Sequence, residues 1–176
     1  FADFVEMRTY LYAKLAWNPD LDGEAMAKEW IDYCCGDGAS QVWQYYKLVE
    51  RAVWGKNPEK RETRCKLHGY NPSRTWLSAR DLAEAYVLLE KAEKATEGDK
   101  ASNDMVRRIG AGLLELVIER YDEVSPKMKG HKFPSRLELV ERFAKLGEDF
   151  SVWCFREGPS PRNFASLVEK MRGGGL

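Results

Sequence analysis

The chain has 176 residues, of which 44% are hydrophobic and 12% aromatic, enough to bury roughly 70% of its unfolded surface around a core. Its 28 basic residues balance 28 acidic ones, which argues against an electrostatic docking surface for nucleic acid or anionic lipid. No apolar run approaches the roughly 20 residues of a membrane span, no signal peptide is visible, and a start at Phe1, inside an apolar pattern, reads as a processed or excised piece of something longer.

In chain order, Phe4, Met7, Leu11 and Leu15 recur at helical spacing, with Val5, Tyr12 and Ala16 widening the stripe. This first helix is apolar nearly all round, so Arg8 and Lys14 on it call for carboxylate partners or a snorkelling route to water; an ion pair is the expectation. It stops near Trp17, because Asn18 precedes Pro19. A second helix runs from about 23 to 34 through Met26, Ala27, Trp30, Ile31, Tyr33 and Cys34, closed by Gly36. A third covers about 39 to 54, through Val42, Tyr45, Tyr46, Val49 and Val53.

Between the first two helices lies a loop with calcium-site spacing. Asn18, Asp20, Asp22 and Glu29 fall at positions 1, 3, 5 and 12 of a loop with Gly23 at position 6, as in an EF-hand. Local rules read it otherwise. Asp22 is an N-cap, Leu21 and Met26 form a hydrophobic staple, and helix starts at Gly23. Glu29 then stands about 9 Å of helical rise beyond the cap and cannot close a site with Asp20. The reading is a capped helix–turn–helix, with no metal.

Residues 55 to 77 break the rhythm with two Asn-Pro steps, two glycines and many basic residues, forming one long irregular loop. Within it Tyr70, Arg74 and Trp76 lie close together; aromatic and guanidinium groups suit sugar rings and carboxylates. Helix resumes after a capping box, Ser78 with Asp81, and a staple, Leu77 with Leu82. Leu82, Ala85, Leu89 and Ala92 line it to near Gly98. The next helix spans about 102 to 123 through Val106, Ile109, Leu113, Leu116 and Val117, and Ser125-Pro126 ends it. A basic connector leads to a second capping box, Ser135 with Glu138, and to Leu139, Val140, Phe143, Leu146 and Phe150. The segment 151–155 fits either a helical extension or a short strand. Ser160 as N-cap with Pro161 at N1 opens a last helix carrying Phe164, Leu167, Val168 and Met171.

The fold class is therefore all-α, a bundle of about seven helices over 1–172, with a flexible tail at 173–176. Chemistry is sparse. Cys34, Cys35, Cys65 and Cys154 include no CxxC, and the C-x-x-H spacing of Cys65 and His68 lacks a second close-spaced pair for zinc, so buried thiols are the reading. His68 and His131 stand in basic loops, away from any nucleophile with an orienting carboxylate. No catalytic residue and no cofactor follow from the sequence.

The segment from Met7 to Ala39 resembles a recurring part of a bacterial domain-of-unknown-function family related to α-glucuronidases and other (β/α)8 glycoside hydrolases. The likeness rests on Ala13, Lys14, Leu15, Trp17, Asn18 and Pro19, then Asp20 and Asp22, then Tyr33, Gly36 and Ala39, with Cys34 and Cys35 standing where a second aromatic is common. Helices over 76–95 and 135–150 resemble those that follow, so the likeness covers residues 1 to 150. It implies the C-terminal helical portion of a larger polysaccharide-processing protein: a non-catalytic accessory module packed on a preceding barrel, whose strand ends would carry the carboxylates. It also implies a periplasmic or cell-surface location. On this reading Tyr70, Arg74 and Trp76 are the residues that would touch glycan. A free-standing α-helical scaffold that binds another protein through an apolar groove is the other expectation, and a large exposed apolar face on the first helix would suit either.

Overall fold

A computed structural model describes residues 4–54, 77–152, 154–156 and 162–174. The chain is all-α. Its helices are α1 (Val5–Trp17), α2 (Gly23–Cys35), α3 (Ala39–Trp54), α4 (Ala79–Ala95), α5 (Lys100–Glu119), the single turn α6 (Tyr121–Val124), α7 (Arg136–Asp149) and α8 (Phe164–Arg172). Among the described residues the extended structure is one antiparallel hairpin, β1 (Cys154–Arg156) with β2 (Arg162–Asn163).

Local chemistry sets most boundaries. Asp22 accepts the Glu24 and Ala25 N–H groups, so α2 does begin at Gly23. Glu29 therefore lies mid-helix and exposed, away from the acidic turn. The staple expected beside that cap is weak, since Leu21 remains over a third exposed. Ser78 with Asp81, and Ser135 with Glu138, form reciprocal capping boxes, each closing two otherwise orphaned donors. The helix expected from 102 starts earlier, because Asp99 takes the Ala101 and Ser102 N–H groups. It also ends earlier, at Glu119, after which the chain turns through α6. The last helix begins at Phe164 with Asn163 as its cap, not at Ser160-Pro161, which lies outside the described residues.

Helices α2, α3, α4 and α5 pack in a closed ring, each on the next and α5 back on α2; α7 adds to α5, α8 to α7, and α1 to α2. Inside are Ile31, Val42, Tyr45, Leu82, Ile109, Leu113, Ile118, Leu139 and Phe143, all nearly sealed from solvent. At the corner between α2 and α3, Gly36 has φ +46, and a Cβ there would sit 2.9 Å from the Ser102 hydroxyl. A Cβ on Gly38 would sit 2.9 Å from the Ala92 carbonyl oxygen. Only hydrogen at these two positions lets the corner seat against α4 and α5.

Helix α1 is the least embedded. Phe4, at the head of α1, is buried with φ 55, a left-handed conformation that costs a non-glycine residue energy. Ring packing holds it: Phe4 stacks on Tyr45 at 5.7 Å and meets Tyr46 edge-on at 5.6 Å. Met7 is the one fully buried residue within the helix itself.

Candidate functional site

Two features of the surface could do work. The first is the outward side of the α1–α2 pair. Tyr12 on α1 is 71% exposed, Trp17 at its end 93%, and Tyr33 on α2 88%, with Val5 and Leu21 also open. The helical spacing that turns Phe4, Met7, Leu11 and Leu15 inward leaves Val5, Tyr12 and Ala16 on the outer side, where all three are exposed. A helix that is apolar all round is normally buried all round; α1 is buried on one side. Tyr33 is a correction to its place in the α2 core stripe, because it points away from the stripe formed by Ala27, Ile31 and Cys35.

The ion pairs expected for Arg8 and Lys14 do not form among the described residues. Both side chains are exposed, and the Lys14 ammonium lies over the Tyr10 ring at 5.6 Å. Asp20 and Glu29, on the turn and on α2, are likewise exposed and make no ion pair among the described residues. By contrast Glu6 on the inner side of α1 pairs with Arg108 of α5, pinning the start of α1.

The second feature is a charged seam where α4, α5 and α7 meet. Arg142 reaches from α7 to Glu90 and Glu93 on α4 and donates to the Tyr86 hydroxyl at 3.3 Å. Arg107 of α5 pairs with Asp149 on α7, lies 3.6 Å from Asp104, and stacks over Phe150 at 5.3 Å. Lys145 closes on Asp149 at 2.5 Å. Beneath Arg142 is a cavity of about 30 Å³, lined also by Leu89, Gly110 and Leu114, room for about one water molecule. Beside Arg107 an open cleft of about 420 Å³ includes Lys100, Asp104, Asp149 and Phe150.

The electrostatics of the seam are those of a fastener. Hydrogen bonds from Arg107 and Lys145 hold the Asp149 carboxyl down to about 2. The Arg142 guanidinium is desolvated, but Glu93 and Glu90 overcompensate and raise its pKa. Burial, then Glu90, pushes the Tyr86 phenol up to about 12. A glycosidic general acid needs a carboxyl held above its ordinary value. Every described carboxyl with a resolved shift goes the other way: Asp99, Glu123, Glu138, Glu141 and Asp149 are all lowered, each chiefly by a hydrogen bond from a neighbouring side chain. The seam was hidden in the sequence because Glu90, Glu93, Arg142 and Lys145 read as solvated faces. Their i,i+3 spacings within α4 and α7 hint at clustering, but the cross-helix pairing depends on packing.

Tyr70, Arg74, Trp76, Cys65 and His68 lie outside the described residues. Cys35 is buried and Cys34 half-buried, both as free thiols; burial, and less so Cys34, pushes the Cys35 thiol up to about 12, which disfavours the reactive thiolate. His131 is exposed on the connector. No group of His, Cys, Asp and Glu among the described residues is arranged to hold a metal ion, and no described helix is long and apolar enough to cross a membrane. Comparison with models of known families, with curated proteins and with solved structures finds no match to this chain.

Proposed function

We propose that the chain is a non-catalytic helical assembly module whose working surface is the outward side of α1 and α2. The observation that supports this is the placement of Tyr12, Trp17 and Tyr33, three large aromatics more than two-thirds exposed on one pair of helices. Scattered apolar residues are ordinary on a protein surface, but three aromatics of this size left open on two adjoining helices are the kind of anchor that interaction sites use. The charged seam, whose members satisfy one another, gives the module stiffness rather than chemistry.

The resemblance to proteins related to α-glucuronidases suggests one setting for such a module, as an accessory to the barrel of a glycoside-hydrolase-like, polysaccharide-processing protein at the cell surface or in the periplasm. The free-standing scaffold is the other setting. Both use the same face. The test is a photo-crosslinking residue at position 17 in the complete polypeptide that the gene encodes. An adduct to a barrel in the same polypeptide supports the accessory setting, and an adduct to a separate chain supports the scaffold. An α1–α2 face that crosslinks to no protein, and whose amides exchange as fast as free helix, overturns the proposal.

A further inference from the structure

We infer that the basic connector between α6 and α7 is a docking surface for the anionic headgroups of a lipid bilayer. It is made of residues other than those of the α1–α2 side and stands independently of it. The chain is neutral overall, but residues 124–137 hold Lys127, Lys129, His131, Lys132 and Arg136 and no acid.

The loop's own geometry keeps these cations together. Tyr121, which opens α6, stacks on Phe133 at 5.3 Å and donates to the Pro134 carbonyl at 3.0 Å, so the two ends of the loop meet. Between them Met128 is buried, and the His131 N–H donates to the Met128 carbonyl at 3.0 Å with Gly130 at φ +85. Such a turn holds its first and last Cα atoms within about 7 Å. Lys127 and Lys132 flank it by one residue each, which keeps their Cα atoms within roughly 15 Å. Met128 and Phe133 are committed to the core, while Lys127, Lys129, His131 and Lys132 are exposed and make no ion pair among the described residues. Successive members stand within a Debye length, about 8 Å at physiological salt, so their fields add. The flanking acids answer little of this charge: Glu123 is held by Arg120 and Glu138 by the Ser135 cap, which leaves Asp122. Arg136 takes the first position of α7, where the positive end of the helix dipole disfavours a cation. An external anion relieves that conflict.

What covers the loop follows from what it lacks. Protein interfaces are anchored by Trp, Tyr and Arg and are poor in Lys. Phe133 is occupied by Tyr86 and Tyr121, so the loop offers no Phe, Tyr or Trp ring to stack on a base. Lysine ammoniums are point charges on flexible stems, suited to headgroups that move sideways to meet them. Leu137, beside Arg136 in the first turn of α7, is 57% exposed; a phosphate backbone has no use for it, whereas a bilayer interface accepts it. Each Lys or Arg near an anionic membrane raises affinity about five-fold. Three lysines and Arg136 together therefore give half-binding on the order of 1 mM accessible lipid.

Co-sedimentation of the full chain with vesicles of mixed phosphatidylserine and phosphatidylcholine, at low salt, should show binding at that concentration. Vesicles of phosphatidylcholine alone should leave the chain in solution, and high salt should release it from the mixed ones. Lys127→Gln, Lys129→Gln and Lys132→Gln combined should weaken binding by about 100-fold, at five-fold for each lysine, with the melting temperature unchanged. The same change in net charge made elsewhere, as Lys91→Gln, Lys94→Gln and Lys170→Gln, should weaken it far less. Leu137→Gln should cost about five-fold through lost apolar contact. A chain that ignores anionic vesicles well above 1 mM lipid overturns the inference, and so does an equal loss in the two triple variants. Binding to a duplex DNA fragment in preference to the vesicles, indifferent to Leu137→Gln, gives the loop to nucleic acid and overturns the bilayer as its occupant.

Discussion

Gly147, within α7, meets the Phe164 ring so closely that a Cβ at this position would lie 2.0 Å from Phe164 Cε1. Phe164 opens α8 and packs on Phe143 at 5.0 Å, so it cannot swing aside without lifting the whole helix. On an exposed helix, Gly→Ala would gain close to 1 kcal/mol. Gly147→Ala should instead cost about 1–3 kcal/mol, as overpacking does, read as a lower midpoint in chemical denaturation. A second residue-scale test concerns acid. The Asp149 carboxyl is lowered from 3.8 to about 2, so its contribution is complete above 3.8 and is lost as pH falls through that interval. Acid titration of stability should therefore show a decline between pH 3.8 and about 2 that Asp149→Asn removes. Residues of this kind were the least legible in the sequence. Tyr33 sits next to Cys34 in a plausible apolar stripe, and only the direction in which α2 turns its face reveals that it points outward.

At the scale of elements, legibility followed locality. The capping boxes at Ser78 and Ser135 could be read directly, because every atom they need lies within four residues. Ser135→Ala should cost about 1 kcal/mol, measured by denaturation, and should also let the Glu138 carboxyl rise, since the Ser135 side chain and then its backbone N–H are what lower it. Where two cap-forming residues compete, local rules mislead. Asp99 and Ser102 can both start a helix; Asp99 takes the cap, and the Ser102 hydroxyl donates to it at 2.7 Å. The start of α8 fails for a different reason. Pro161 suits a first helical turn, yet the pairing of Arg162–Asn163 with Cys154–Arg156 holds the chain extended until Phe164. That pairing is non-local, and no capping rule contains it.

For the molecule as a whole, the all-α class was readable from periodicity, whereas the closed ring of α2 to α5 and the seam binding α7 to it were not. Arg142 illustrates the stakes. Its side chain is 33% exposed, so removing it should cost less than the 3–5 kcal/mol of a fully buried pair, about 1–3 kcal/mol. Arg142→Met should show that loss in denaturant, and adding Glu90→Gln with Glu93→Gln should recover most of it, because the carboxylates are then no longer stranded. Base should loosen the same seam. Tyr86 is raised from 10.0 to about 12, so the unfolded chain loses this proton first. Stability should fall as pH climbs through that interval, and Tyr86→Phe should flatten the decline.

The glycine corner at Gly36 and Gly38 also carries a consequence for the order of events in folding. Its seat is made of Ala92 at the end of α4 and Ser102 at the beginning of α5, far downstream in the chain. During synthesis α1, α2 and α3 leave the ribosome first, yet the corner joining two of them has nothing to lock into until Ser102 has followed. Their apolar stripes must wait, held together by little more than one another, and closure of the ring is a long-range event of the kind that slows folding. Substitutions at Gly36 or Gly38 should then act chiefly on this closing step, delaying the native state while leaving the early helical signal intact.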